Sequence, residues 1–430
     1  MEVFIMNRQN SNKKTDSVKI ILFAATMAVF FVIGLAFFLR PTESENEKRK
    51  LTEFPKFTIS SFLSGEWTNQ VSLWYSDTYP MREGMISANS VMESFYGITG
   101  EQIISGGNAD EIPSTPVNGE VVFNPTDDGG GEKIQGMYVN GDTAYQLYAF
   151  NQQNSDSYVA LINKFASQVE GKAQVYDMIV PLHYQIAISR ETAGKYGASD
   201  CESAINYMYE NLSGSITSVD TLPYLISHNT EYLYYRTDHH WTARGAYYAY
   251  QAFCSAKGIN ATPLGNYQRL QFDGFLGTLY AEAGQPSAMK SSPDFVEAFV
   301  PTGTNKITVT EKSGNIVDYQ IVNKQTDAWY PAAGAKYNCF IAGDNPISEI
   351  HNSNISDGSS IVVVKESYGN AFIPFLVDSY EHVYVIDYRY WSGDLADFVI
   401  DNDIGDVLFL NVVNVTSTSA RLNELSQIIK

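Results

Sequence analysis

From Tyr145 to the C-terminus the chain alternates short apolar runs with stretches of helical periodicity, and this rhythm limits the fold more than any other feature. Ser155–Val169 reads as a helix, Gln174–Pro181 as a buried strand, Ser203–Leu212 as a helix and Ile216–Asp220 as a short strand. Thr242–Lys257 reads as a further helix. Later come strands at Ser360–Lys365, His382–Asp387 and Val407–Val412, separated by helices at Asn370–Asp378 and Leu395–Ile400 and followed by one from about Ser419. Apolar runs of strand length without alternation are buried on both faces, and helices between them act as crossovers. The expected class is therefore α/β, a parallel sheet flanked by helices. Residues 267–337 break the rhythm: segments such as Lys306–Thr310 and Val317–Val322 suggest hairpins inserted into that frame.

The N-terminus sets a second constraint. Residues 20–39 form an uncharged run long enough to cross a bilayer as a helix. It exceeds the apolar part of a cleaved signal, and it leads into Arg40-Pro41 with no small-residue cleavage site. The expected organisation is a cytoplasmic tail over 1–19, a retained anchor in the lipid bilayer over 20–39, a juxtamembrane helical segment and linker over 40–135, and a main domain over 136–430. Four Lys or Arg precede the span (Arg8, Lys13, Lys14, Lys19) and five lie between Arg40 and Lys56, so charge alone does not orient it. A short N-terminal tail usually stays inside, which puts the main domain outside the cytoplasm at the cell membrane.

Within 40–135, helical periodicity runs from Phe57 to Tyr96 around Asp77 and Arg82, with Pro80 near a helix start. Asp77 and Arg82 read better as fixing a helix than as touching substrate. Gly129-Gly130-Gly131 marks a loop rather than a phosphate cradle, since no Lys-Ser/Thr pair comes after it. A net charge of −20 argues against nucleic acid as a partner. Cys201, Cys254 and Cys339 match no metal spacing and read as buried small hydrophobes, with one bridge open as an alternative.

Chemistry concentrates in two short motifs, Asp238-His239-His240-Trp241 and Lys365-Glu366-Ser367-Tyr368. Ser367 stands where a buried strand turns into a helix, so its hydroxyl is projected at a carboxyl end of the sheet. The amides of Tyr368 and Gly369 could then face an oxyanion. The bland alternative is a helix N-cap. Asp238 and His240 are two apart on an extended loop and point the same way, so the carboxylate could hold one ring nitrogen and leave the other as base. Asp238, His239 and His240 as metal ligands, or Asp238 as a helix cap, are the competing readings. No metal and no cofactor is expected. Tyr232, Tyr234, Tyr235, Tyr388, Tyr390 and Trp391 lie near the motifs and could face sugar rings, although half-buried aromatics are ordinary core material.

These residues also carry a resemblance, covering about 40–430. The chain resembles the DHHW family, named for the tetrapeptide at 238–241, and is similar more distantly to alginate O-acetyltransferases of the AlgX and AlgJ type, whose fold resembles an SGNH hydrolase. Matching pieces include Glu45-Asn46, Leu51, Phe54-Pro55, Asp77-x-Tyr79-Pro80-x-Arg82, Phe275-Leu276-Gly277-Thr278, Gly343-Asp344-Asn345-Pro346, Ile373-Pro374-Phe375 and Asp387-Tyr388-Arg389-Tyr390. Glu366 departs from the pattern, which more often has Asp before the Ser. The resemblance implies Ser367 as nucleophile, His240 as general base and Asp238 as its orienter, with Arg389 on the substrate side; His239 falls on a variable position. Asn345, as a second oxyanion donor, and Trp241, beside the substrate, are further candidates. The function this resemblance implies is that of a membrane-anchored O-acyltransferase, acetyl being the implied group, acting on a cell-envelope or secreted polysaccharide. A separate membrane-bound O-acyltransferase would supply the acyl group. An esterase with the same triad, or a non-catalytic glycan-binding assembly protein, are the alternatives.

Overall fold

A computed structural model of the chain describes residues 40–44, 49–50, 53–58, 62, 66–80, 109–113, 124–127, 129–134 and 136–430. The expected tail and bilayer span, 1–19 and 20–39, lie outside the described residues. Among the described residues no helix is long and apolar enough to cross a membrane. The chain divides into two compact units, 1–100 and 101–430.

In the first unit, helix α1 (Glu66–Asp77) ends ahead of Pro80. Its C-terminal turn is closed by Arg40. The guanidinium lies 4.1 Å from the Trp74 ring and donates to Thr78 Oγ1 at 2.8 Å and the Tyr75 carbonyl at 3.1 Å. A cation suits the end of a helix where carbonyls go unpaired. Phe54 meets Trp74 edge-on at 4.7 Å. The side chain of Asp77 and all of Arg82 lie outside the described residues.

The second unit opens with a small antiparallel sheet of β1 (Glu132–Ile134), β2 (Met137–Asn140) and β3 (Thr143–Gln146). The Asp127 carboxylate pins the glycine-rich loop beside it, accepting from the Gly129 amide and the Tyr138 and Tyr145 hydroxyls. The main sheet contains β4 (Gln174–Val180) and β5 (Ile216–Ser218), while β6 (Gln268–Phe275) and β7 (Asp294–Val300) pair apart as a two-stranded ribbon. The remaining strands are β8 (Lys306–Thr310), β9 (Ile316–Gln320), β10 (Ile347–His351), β11 (Ser360–Lys365), β12 (His382–Asp387) and β13 (Asp406–Val412). Spatial order is β9-β8-β10-β12-β11-β13-β4-β5.

The five strands from β12 to β5 are parallel, as the apolar runs lead one to expect. Side chains on these strands alternate between two apolar clusters. Tyr176, Met178, Ile361, Val363, Leu408 and Leu410 face one way; Val175, Ile179, Val362, Val364, Val407 and Phe409 face the other. Helix α2 (Gln152–Gln168) packs on the second face together with α3 (Cys201–Glu210), while α4 (Ala243–Lys257) packs on the first. Helices α5 (Leu395–Asp401) and α6 (Ser419–Ile428) complete the second face. Both faces are covered, which is what a parallel sheet requires.

Two expectations are corrected. The sheet is mixed, because β8, β9 and β10 join one edge antiparallel. A short turn joining β8 to β9 can only produce an antiparallel pair, so the inserted segment extends the main sheet as well as forming the β6–β7 ribbon. The helix expected at Asn370–Asp378 is instead a 3-10 turn, Ser367–Ala371, followed by one α-turn at Ile373–Leu376. Pro374 has no N–H to bond backwards, so a helix can begin there but cannot pass through. All three cysteines are free and buried.

Asp177 on β4 is wholly buried, with Tyr158 donating to Oδ1 at 2.5 Å and, among the described residues, no partner on Oδ2. Burial pushes its carboxyl up to about 7, against the opposing pull of the Tyr158 hydrogen bond. The folded state therefore holds a proton that the unfolded chain has released above about pH 4. Stability from this group is present at low pH and is lost as pH rises towards about 7. Asp177→Asn is accordingly expected to gain about 2–3 kcal/mol on the wild type between pH 5 and pH 8, read from denaturant melts at the two pH values.

Candidate active site

The tetrapeptide 238–241 lies in a tight loop ahead of α4. An isolated bridge between Tyr234 and Trp241 closes the loop, and the Tyr235 amide donates to the His240 carbonyl at 3.2 Å. Thr242 then caps α4 by accepting from the Gly245 amide. Buried Asp294 at the start of β7 anchors the loop from outside. Its carboxylate accepts from the amides of Arg236 and Thr237, the Thr237 hydroxyl, the Arg236 guanidinium and the Tyr232 hydroxyl. Five bonds on one buried carboxylate leave the loop little freedom, which matters for any group it presents.

Ser367 follows β11, an interior parallel strand between β12 and β13, and is half-buried. Under it sits a knot of buried charges. Lys365 donates to Asp387 at 3.0 Å and Asp344 at 3.2 Å; Arg389 reaches both carboxylates at 2.6 and 2.9 Å; and Asn370 donates to Asp344 at 2.9 Å. Burial pushes the Asp344 carboxyl up, but Lys365 and Arg389 outweigh it and hold the group well below the usual carboxylate range. Paired and hydrogen-bonded charges of this kind fix a turn, because breaking any one strands its partner. Gly369 permits the turn to close: a Cβ there would lie 2.7 Å from the Cβ of Lys365.

The two motifs meet. His240 Nε2 is 2.7 Å from Ser367 Oγ, and His240 Nδ1 is 2.6 Å from Asp238 Oδ1. The other carboxylate oxygen of Asp238 accepts from the Thr278 amide at 2.9 Å and its hydroxyl at 3.2 Å. Burial raises the Asp238 carboxyl, yet His240, His239 and these hydrogen bonds overcome it and hold the carboxyl well below the ordinary range. Three more bonds tie the loops together: Trp241 Nε1 to the Tyr368 carbonyl at 2.9 Å, the Tyr368 hydroxyl to the His239 carbonyl, and the Tyr337 hydroxyl to the Ser367 carbonyl at 3.1 Å. The Tyr337 ring stacks on His240 with centroids 4.2 Å apart.

The remaining candidates fall elsewhere. The Tyr368 amide donates to Glu366 Oε2 at 3.1 Å, and the Gly369 amide to the Glu366 carbonyl at 3.0 Å, so both expected oxyanion donors are engaged. Glu366 causes this: the same carboxylate also accepts from the Val412 amide at 3.2 Å, and its Oε2 lies 3.2 Å from Ser367 Oγ, a longer alternative for the one hydroxyl proton than His240 Nε2 at 2.7 Å. Asn345 donates to the Ala342 carbonyl at 3.2 Å and so closes its own turn. Arg389 is committed to the charge knot, and Trp241 is wholly buried. Tyr234, Tyr235 and Tyr388 are core residues, whereas Tyr390 is exposed.

Asp238, His239 and His240 do bring ligand atoms within 4.8 Å of one another. Both ring nitrogens of His240 already have partners, however, and His239 Nδ1 lies 2.6 Å from Thr278 Oγ1. The trio fits a hydrogen-bonded relay better than a metal. Sequence reasoning assigns no role to Thr278, Glu366 or Tyr337, all of which the structure brings to the site. Thr278 falls in the Phe275–Thr278 piece, whose only signal is its resemblance, and nothing local marks Tyr337.

No curated protein matches the chain. Among solved structures, a DHHW family protein from Eubacterium siraeum is similar at 29% identity with a TM-score of 0.62, covering 70% of this chain and 98% of its own. Bacillus cereus PatB1, in a structure with a sulfonyl adduct, is similar at 16% identity and a TM-score of 0.55, covering 66% and 98%. The sequence model of the DHHW protein family matches residues 47–124 and 107–386, which is most of the chain. On that match, and on the loop that gives the family its name, the chain belongs to the DHHW family.

Proposed function

We propose that the chain is an extracytoplasmic O-acyltransferase that esterifies a cell-envelope or secreted polysaccharide through Ser367, with acetyl as the transferred group. The observation that carries this reading is the continuous path from the Asp238 carboxylate through the His240 ring to a hydroxyl still open to solvent. His240 Nε2 takes the Ser367 proton as Oγ bonds to the carbonyl carbon of the acyl donor. The tetrahedral species collapses, and the leaving group departs with that proton, which leaves an acyl-serine. A sugar hydroxyl then attacks the same carbon, gives its proton to His240, and leaves with the acyl group. His240 returns the proton to Ser367.

Asp238 stays ionised throughout and stabilises the imidazolium. Because Glu366 occupies the Tyr368 amide, that amide serves an oxyanion only after the carboxylate swings aside. The polysaccharide assignment draws support from a cavity of about 310 Å³ beyond the carboxyl end of β4, the same end of the sheet as Ser367. Thr126, Asn229, Thr230 and Arg236 are among its lining residues and offer polar groups that suit sugar hydroxyls, whereas the Tyr145 and Tyr234 rings there are buried. Residues 20–39 would hold the enzyme in the bilayer beside a membrane-bound O-acyltransferase that delivers the acyl group.

The test supplies a chromogenic acetyl ester with and without an oligosaccharide. Acetylated sugar supports the transferase; free acetate in both arms favours the esterase reading; no turnover in either arm overturns both. A second prediction concerns Gly277, where a Cβ would lie 2.2 Å from Asp238 Oδ2. Gly277→Ala is expected to displace that carboxylate and lower kcat by about 100-fold, measured with the same ester.

A further inference from the structure

We propose that His351, Glu381 and His382 form a binding site for a transition-metal dication of the zinc class, far from the active-site loop. His351 ends β10 and His382 begins β12, and the two are direct partners across the antiparallel pair. Directly opposed residues project to the same side of a sheet. Their rings stack with centroids 4.7 Å apart and planes within 6° of parallel, so a rotation of one ring about its Cβ–Cγ bond is what would bring both in-plane Nε2 lone pairs onto one ion. These two converge with the Glu381 carboxylate, as His239 and His240 do with Asp238 in the active-site loop.

The decisive detail is what the three groups fail to do. His351 Nε2 lies 3.9 Å and His382 Nε2 3.7 Å from the same oxygen, Glu381 Oε1. Both separations are too long for hydrogen bonds. They are close to what a shared cation needs: bonds of about 2.0–2.2 Å at the tetrahedral angle put neighbouring ligand atoms roughly 3.3–3.5 Å apart. The carboxylate is held in place from behind, since Oε2 accepts from the Gly358 amide at 2.8 Å and the Glu381 amide donates to Ser359 Oγ at 3.1 Å. Support of this kind orients a metal ligand.

Exposure of the His351 side chain at 57% and the His382 side chain at 40% lets an ion enter and water complete the coordination. Two imidazoles and one carboxylate favour zinc and its neighbours over magnesium or calcium, which prefer all-oxygen shells. Such a metal would clip the antiparallel extension to the parallel strands. The clip sits at the amino end of β12, whereas Ser367 follows the carboxyl end of parallel β11.

Titration calorimetry and thermal melts of the full-length chain test the site, with zinc chloride and magnesium chloride as probes. One equivalent of zinc is expected to bind with a micromolar Kd and to raise Tm by a few degrees at about 100-fold that concentration, with no response to magnesium. His382→Ala should weaken zinc binding at least tenfold and remove the Tm rise, leaving acyl transfer unchanged; His351→Ala is an independent second variant. His239→Ala should alter neither zinc response. Absence of zinc binding, binding that survives both histidine variants, or binding lost only in His239→Ala would overturn the proposal.

Discussion

Replacing Ser367 with Ala is expected to lower kcat for acyl transfer by at least about 10⁴-fold while leaving the melting temperature within a few degrees of the wild type. Among the described residues the hydroxyl meets His240 and Glu366 alone, at a half-open surface, so its removal frees those partners to meet water. The fold relies instead on β11 and the charge knot beneath it, neither of which uses the Oγ atom. Because the nucleophile acts in the transition state and adds little to ground-state binding, the loss should fall on kcat rather than KM. Progress curves with the chromogenic ester, paired with melts, check both parts. A residual rate within tenfold of the wild type would put the chemistry somewhere else.

Asp238→Asn should cost about 10⁴-fold in kcat for a different reason. Thr278 donates twice to Oδ2, so an Asn must place its oxygen there and turn its NH₂ towards His240 Nδ1. The ring can then only accept at Nδ1, which forces the proton onto Nε2, where it blocks the base. The wild-type carboxyl is raised by burial but lowered further by His240, His239 and the Thr278 bond, so its net position is well below the usual range. A folded pKa below the unfolded value contributes stability that is fully present above about pH 4 and is lost as pH falls through the folded value. The Asn variant should therefore lose less stability than the wild type on acidification below pH 4. Kinetics at neutral pH and melts from about pH 5 to pH 3 separate the two effects.

The parallel half of the sheet was legible because β4, β11 and β13 are buried on both faces and, with β12, read as mostly apolar runs, Asp177 and Asn411 being the polar exceptions inside them. Strand β10 was not, since Ile-Ser-Glu-Ile-His is buried only at alternate positions and carries two polar residues outward. The same distinction applies at the site. Ser367, His240 and Asp238 announce themselves through local context, a strand end and a two-residue spacing. Thr278, Tyr337 and Asp294 reach the loop from distant segments, and no short-range pattern records such an approach. The engaged Tyr368 amide was hidden for a subtler reason: it depends on the Glu366 side chain being long enough to fold back over its own turn.

The most direct measurement is peptide mass spectrometry after a brief pulse with an activated acetyl ester or a sulfonyl fluoride. The expected result is one added acyl or sulfonyl group on the peptide containing Ser367, absent from Ser367→Ala and strongly reduced in Asp238→Asn. An adduct on any other residue, or an undiminished adduct in Ser367→Ala, would contradict the relay from Asp238 through His240 to Ser367.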